Sequence, residues 1–412
     1  MYYTLMHKDI PVFNFESEDN KLYALYIDHA INELHVPLPI EVDDTVVNRS
    51  HFNDWLSDRR IPASRDKLQS GLDKLRAAAG GDRIATDTLL KNSLALSLSD
   101  QYWVRPKESS LTWNDVNFFN NNFSDDVGAA LFDIDIQTRN ADLMSPVNSS
   151  DGVLRKKWKI INNERYLIKS GTEPYLQEVF NEKIASLICH TLNIQGYTDY
   201  DIIFSNNKPA SICRCFIDSS TELITANDIL EHFLPNTRIS PYEHYIKCCE
   251  RLGADTVELK KSLDDMLTLD YIMGNTDRHL RNFGLIRNAD DLSIHSAAPI
   301  FDTGSALGHN LLSSDIEKLE DINAKPFGKT HDEQIRLIKE PERYDISKLY
   351  TIQNDVKEIL CTGNYLPYER ISAVSGLLAS RIKRFDKAMC KGFVQEIDFG
   401  ALDMTDSSIK RK

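Results

Sequence analysis

No stretch of this chain approaches the roughly 18 consecutive apolar residues that a membrane-crossing helix needs. Its first residues, Met1-Tyr2-Tyr3-Thr4-Leu5-Met6-His7-Lys8, lack the basic-then-apolar layout of a secretion signal. Cysteine is sparse, with seven in 412 residues. That number is odd, and neither Cys213-x-Cys215 nor Cys248-Cys249 has a second ligand pair at zinc spacing. Reduced thiols in a cytoplasmic protein without a membrane segment are therefore the expectation. Positive charge is also in deficit: 48 Lys and Arg against 62 Asp and Glu leave a net charge of −14, which argues against direct nucleic-acid binding over a broad surface. There is no internal repeat and no low-complexity segment. The remaining composition, 42% hydrophobic and 27% charged, is that of an ordinary globular chain long enough for two or three packed units.

Two polar stretches stand out from this background: Asn275-Thr276-Asp277-Arg278-His279-Leu280-Arg281-Asn282-Phe283-Gly284 and Pro299-Ile300-Phe301-Asp302-Thr303-Gly304-Ser305. The first follows a helical pattern over 257–273 that stops at Gly274, a residue suited to the left-handed turn after a helix. Between the two, 284–287 and 293–295 read as a short hairpin. An Asp followed five residues later by an Asn, with a second Asp about twenty residues further on, suits phosphoryl transfer. One carboxylate accepts the proton of the attacking hydroxyl, while an amide oxygen and a second carboxylate, both hard donors, hold magnesium on nucleotide phosphates. Asp277 then reads as the base, and Asn282 and Asp302 as the metal ligands. Because Asn, Asp and Gly clusters are also ordinary turn chemistry, the reading leans on what lies upstream.

Upstream, 165–169 reads as a strand ending on Lys169, followed by a helix from Pro174 to about residue 192. A strand lysine ahead of a helix that carries a glutamate is the arrangement in which a buried ion pair aims the ammonium at the α/β phosphates. Glu182 is the expected partner, with Glu178, one turn earlier, as the rival. Before the strand, Ser149-Ser150-Asp151-Gly152 runs into the basic Arg155-Lys156-Lys157, and this segment reads as a loop over the phosphates in which Ser150, Gly152 and Lys157 face the nucleotide. Strands near 201–204 and 211–216 complete a small, mostly antiparallel sheet, whose exit at Cys215-Phe216-Ile217 reads as a hinge offering backbone groups to adenine. His279, inside the polar loop, is counted with the nucleotide-facing residues.

Residues 1–135 differ in character. Short strands are expected near 2–13 and 22–27, a helix over 49–57 with Phe52 and Trp55 on one face, and a second over 65–78 capped by Ser64, with Leu68, Leu72 and Leu75 at helical spacing. Tyr102, Trp103 and Trp113 read as a packing seam against the next unit. Residues 138–151 read as a linker, and helical patterns dominate from 226 onward.

Taken together, Gly274 to Gly284 as quoted, Phe301-Asp302-Thr303-Gly304-Ser305, Leu167-Ile168-Lys169 and Asn181-Glu182-x3-Ser186 resemble the HipA-like Ser/Thr kinases. Phe52-Asn53-Asp54-Trp55-Leu56-Ser57-Asp58-Arg59-Arg60 resembles that family's N-terminal part. The resemblance implies an α+β, protein-kinase-like two-lobed fold: an N-terminal α/β subdomain at 1–145, a small β-rich lobe at 146–225 and a helical lobe at 226–412. It implies ATP and Mg2+ as cofactors and a protein Ser or Thr as acceptor. Asp277 is carried over as base, Asn282 and Asp302 as metal ligands and Lys169 as the phosphate-binding lysine. The family's prototype is a bacterial toxin opposed by a small DNA-binding antitoxin and silenced by autophosphorylation of a serine in its phosphate loop, a position that Ser149 and Ser150 match. The loop departs from the prototype in being poor in glycine. A small-molecule kinase and a catalytically weak interaction module are the competing readings.

Overall fold

The computed structural model describes residues 1–18, 21–62, 64–65, 67–78, 84–132, 142–146, 154–316, 318–319 and 322–390. Aromatic and β-branched residues near the start of the chain form β1 (Tyr2–His7), β2 (Ile10–Ser17) and β3 (Ala24–Ile27). After a two-residue ladder of β4 (Val42–Asp43) with β5 (Val46–Val47) comes α1 (Arg49–Asp58), whose Asn48 cap accepts from the backbone N–H groups of Ser50 and His51. Phe52 of α1 sits edge-on to Phe13 and Phe15 at 4.9 Å from each, which fixes the helix on the sheet. The next helices are α2 (Leu68–Ala78), which begins three residues later than its pattern suggests, and α3 (Thr86–Asn92). β6 (Tyr102–Pro106) then returns beside β1, giving the antiparallel order β3-β2-β1-β6, and α4 (Trp113–Val116) and α5 (Asp126–Leu131) follow.

The second sheet is built from β7 (Lys156–Ile161), β8 (Glu164–Lys169), β9 (Tyr200–Ser205) and β10 (Lys208–Arg214), in the order β7-β8-β10-β9 and antiparallel throughout. The two-residue turn Asn162-Asn163, with φ of 50° and 65°, pins the first hairpin. One face of the sheet gathers Leu167, Tyr200, Cys213 and Trp158, and the other packs Ile168 and Ala210 on Phe132 just after α5. Between β8 and β9 lies α6 (Gln177–Thr191). It starts three residues beyond Pro174, which stands in a cis peptide bond with Glu173 instead of at the first helical position.

Residues 215–220 lead to β11 (Thr221–Thr225), α7 (Ala226–His232), α8 (Pro241–Arg251) and α9 (Thr256–Met273), the last closed by Gly274 at φ 58°. β12 (Gly284–Asn288) pairs antiparallel with β11 on one side and with β13 (Ile294–Ala297) on the other, in the order β11-β12-β13. Gly284 lies so close to the Ile224 carbonyl that a Cβ would collide with it, so only glycine lets β12 meet β11 there. α10 (Ser313–Ile316), α11 (His331–Gln334), α12 (Gln353–Cys361) and α13 (Tyr368–Cys390) complete the chain. The main core joins α6, α8, α9, α12 and α13 through residues such as Phe180, Tyr245, Leu267, Tyr271, Leu360 and Phe385. The result is a mixed α+β fold with several sheets, and among the described residues no helix is long and apolar enough to cross a membrane.

The first sheet is tied to β11 and β12 by buried polar groups. Glu222 receives Arg287 Nε on one oxygen and contacts His7 Nε2 at 3.2 Å on the other, while Arg287 also donates to Tyr102 Oη at 3.0 Å. Burial alone would raise the Glu222 carboxyl, but Arg287 and His7 hold it down to about 2. That tie therefore favours the folded chain above the ordinary carboxylate range and is lost only as pH falls towards about 2.

Candidate active site

Three elements converge on Lys169. It ends β8, so its side chain leaves the sheet on the Leu167 and Tyr200 face, towards α6 and the segment after β13. Its Nζ lies 2.9 Å from Asp302 Oδ1, 3.5 Å from Glu182 Oε1 and 3.3 Å from Tyr200 Oη. Glu182 also accepts from the Thr303 backbone N–H at 3.0 Å, tying α6 to the Asp302 segment. Of the two glutamates one turn apart, Glu182 is the one beside Lys169. Glu178 accepts from Thr172 N–H at 3.0 Å and faces His309 instead.

The electrostatics follow from burial and charge. Burial disfavours the Lys169 ammonium, but Asp302, Tyr200 and Glu182 outweigh it and raise its pKa well above the usual value. Burial likewise works against the Asp302 carboxylate, yet Lys169, then Lys156 and Arg278, hold it well below the ordinary range. Glu182 is pushed up, by burial first, with Lys169 opposing. Asp302 stands at φ 57°, a conformation that costs a non-glycine residue strain and that recurs at functional sites.

The polar loop after α9 is fixed by Arg278, which is fully buried. Its guanidinium holds both oxygens of Asp270 at 2.9 Å, the Asn282 carbonyl at 3.0 Å, Thr303 Oγ1 at 2.9 Å and the Phe301 carbonyl. One side chain thus joins α9, the loop and the Asp302 segment. Asn282 Nδ2 donates to the Asp277 carbonyl at 3.1 Å, which orients the amide. Its other end, Oδ1, is buried without a hydrogen-bond partner among the described residues. A buried carbonyl oxygen of this kind is costly unless a ligand engages it. One carboxylate and one amide oxygen suit magnesium, which takes one or two protein donors and fills its remaining positions with phosphate and water. Asp277 is half-exposed, and Lys325 Nζ reaches its Oδ1 at 3.1 Å.

Lys157, expected over the phosphates, lies on the other side of the sheet. The hairpin register pairs Lys157 with Ile168 and Lys156 with Lys169, and Lys157 Nζ rests 5.2 Å from the centre of the Phe132 ring. Burial against that apolar face lowers its pKa. Lys156 takes the Lys169 face and contributes to the charge on Asp302. Ser149, Ser150 and Gly152 lie outside the described residues. Cys215 and Phe216 line a cleft of about 490 Å³ together with Arg165, Tyr197, Asp199 and Asp218, whereas Lys169, Asp277, Asn282 and Asp302 do not line it. The Phe216 ring lies 5.3 Å from that of Phe301, so the hinge segment touches the residue before Asp302. Burial pushes the Cys215 thiol up to about 12, leaving it unreactive. His279 Nδ1 accepts from Arg281 N–H at 3.2 Å within its own loop.

No protein-family model matches the chain. A curated relative, the serine/threonine-protein kinase CtkA of Helicobacter pylori, is 31% identical over 172 residues. The match covers 35% of this chain and 48% of the relative. Over that region the chain is similar to a protein named as a serine/threonine kinase, and it spans about half of that relative's length. Among solved structures, the H. pylori proinflammatory kinase CtkA matches at a TM-score of 0.46 and 18% identity, covering 60% of this chain and 94% of that one. The HipA, HipB and operator DNA complex of Shewanella oneidensis matches at 0.43 and 15% identity, covering 93% and 98%.

Four residues of this cluster play parts that a reading by motif alone does not give. Lys156 is recoverable from the sequence: a two-residue turn at 162–163 fixes Ile161 opposite Glu164, and counting back along both strands brings Lys156 opposite Lys169. Tyr200, Arg278 as a buried clamp, and Lys325 depend on tertiary contacts that carry no local signal.

Proposed function

We propose that this chain is an ATP- and magnesium-dependent kinase that phosphorylates a protein Ser or Thr. The observation that carries the proposal is the meeting of Lys169, Glu182 and Asp302 beside a loop whose Asn282 presents a buried, unpartnered oxygen. On this reading the sheet of β7 to β10 with α6, residues 146–225, forms the smaller lobe, and 226–412 forms the helical lobe with the loop. Residues 1–145 form a separate N-terminal subdomain. Lys169 and Lys156 bind nucleotide phosphates, Glu182 orients Lys169, and the backbone near Cys215 and Phe216 meets the base. Asn282 and Asp302 hold the magnesium, which when bound neutralises phosphate charge. Asp277 receives the proton of the acceptor hydroxyl. Sequence shared with CtkA, a protein named as a Ser/Thr kinase, supports a protein acceptor over a small molecule. A toxin role with a small helix-turn-helix antitoxin rests on the motif resemblance. Co-purification with the product of an adjacent small open reading frame tests it.

If Lys169 and Glu182 act as a unit, Lys169→Met and Glu182→Gln should each cost nearly as much transfer as the double variant, because either leaves the other charge poorly placed. Losses that simply add in a radiolabelled-ATP assay would separate the two residues.

Regulation gives a further expectation. A phosphate on Ser149 or Ser150 would bring close to two negative charges a few residues ahead of Lys156, which shares a face with Lys169. Incubation with ATP and magnesium should therefore add mass at one of these serines and reduce activity, while the Asp277→Asn chain stays unmodified. Intact-mass and peptide analysis decide it, and a gain mapped to other residues would rule the two serines out.

A further inference from the structure

Lys325 belongs to none of the motifs, yet it is the side chain that meets Asp277 from outside the loop, with Nζ 3.1 Å from Oδ1. An exposed ion pair is ordinarily a weak feature of a surface. The segment that presents this one is unusually well secured. Ala324 N–H donates to the Lys329 carbonyl at 3.0 Å, and Asn323 bridges Thr330, so 323–330 forms a tight hairpin. Phe327 at its tip is sunk among Tyr242 at 5.3 Å, Phe283 at 5.8 Å and Tyr245 at 6.1 Å. Phe327 N–H donates to Gln334 Oε1 at 2.8 Å, and Lys329 N–H to Glu333 Oε2 at 2.7 Å. At its far end, His331 Nε2 lies 2.9 Å from the Asn275 carbonyl, two residues before Asp277. Burial lowers the His331 pKa to about 4, so the ring is neutral and Nε2–H donates.

The hairpin is thus anchored on Phe283 and Asn275, the residues that flank the loop carrying Asp277 and Asn282. These contacts secure the hairpin backbone that carries Lys325, whose side chain is itself about half exposed. The other cations of the site, Lys169 and Lys156, approach from the sheet, on the side of Asp302. Lys325 reaches Asp277 from the 323–330 hairpin, and both side chains of the pair are about half exposed, so an acceptor hydroxyl can reach the carboxylate beside it.

We propose that Lys325 is a further residue of the transfer machinery, holding Asp277 towards the acceptor and stabilising the phosphoryl oxygens as they move to it. This rests on the kinase reading above. In the step, the acceptor oxygen forms a bond to the γ-phosphorus and the bond to the ADP oxygen breaks. The hydroxyl proton passes to Asp277 Oδ2, and the negative charge carried by the moving phosphoryl group is met by the Lys325 ammonium, which gives up no proton. A cation at that point lowers the barrier by stabilising the charge that develops there.

The test uses the full chain, radiolabelled ATP with magnesium, and myelin basic protein as acceptor, comparing Lys325→Met and Lys325→Arg with wild type. Lys325→Met should lose about 10²-fold in kcat with the KM for ATP within threefold. Lys325→Arg should recover most of the loss, since a charge is restored at the same place. Transfer by Lys325→Met within threefold of wild type overturns the proposal and leaves a surface ion pair. So does a loss that falls on the KM for ATP, or one that arginine does not recover, because either marks a structural role. A wild-type chain that transfers no better than Asp277→Asn overturns the kinase reading itself and this inference with it. The two failures are therefore distinct.

Discussion

Asp277→Asn should reduce phosphate transfer by about 10²–10⁴-fold while ATP retention stays close to wild type. The substitution is isosteric. Two contacts that fix its backbone, N–H donating to Asn275 Oδ1 at 3.0 Å and the carbonyl accepting from Asn282 Nδ2 at 3.1 Å, both survive in the variant. What disappears is the carboxylate able to take a proton. On the proposed reading nucleotide binding depends on other groups, Lys169 on the sheet and Asp302 with Asn282 at the metal position, so titration with a fluorescent ATP analogue should be little changed. Asp302→Ala should show the reverse pattern, losing magnesium-dependent nucleotide binding, and it also removes the 2.9 Å partner of Lys169. Two variants with near-normal transfer would show that the constellation is wrong. A small-molecule kinase would show the same losses with a different acceptor, so the acceptor panel and not these variants separates those readings.

Much of this arrangement was legible because the candidate residues sit where secondary structure changes. Lys169 closes a strand, Gly274 ends a long helix, and a two-strand hairpin separates Asn282 from Asp302. Those changes of period leave marks in the order of apolar and polar residues. Helical spacing alone does not separate Glu182, the expected partner, from Glu178, since residues four apart share a helix face; the packing of α6 brings Glu182 beside Lys169. Lys157 was misplaced for a different reason. In a strand, adjacent lysines point to opposite faces, and reading Arg155-Lys156-Lys157 as one basic patch overlooks that alternation. The start of α6 was also read too early, because a proline suits a first helical position but here precedes the helix by three residues, with Leu176 at φ 48° turning the chain into it. Lys325 is 48 residues from Asp277 in sequence, and its approach depends on Phe327 finding a pocket among aromatics from α8 and the loop.

The largest effect on stability is expected at Arg278, whose clamp has no exposed atoms to ease its loss. Arg278→Ala removes the guanidinium from a pair in which both partners are fully buried. It leaves the Asp270 carboxylate with Asn275 Nδ2 at 2.9 Å as its remaining side-chain donor. Breaking one partner of a buried pair costs about 3–5 kcal/mol, because the stranded charge cannot regain water. The same change frees the Asn282 and Phe301 carbonyls and Thr303 Oγ1, so activity should fall together with the urea midpoint. A second substitution separates stranded charge from lost packing. Asp270→Asn combined with Arg278→Met removes both charges while keeping most of the volume, and it should be less destabilised than Arg278→Ala alone. The stability recovered should not restore transfer, because the methionine offers no donor to hold the Asn282 and Asp302 segments in register. Equal destabilisation in the single and double variants would mean that packing and the three lost donors, and not the stranded carboxylate, dominate the cost.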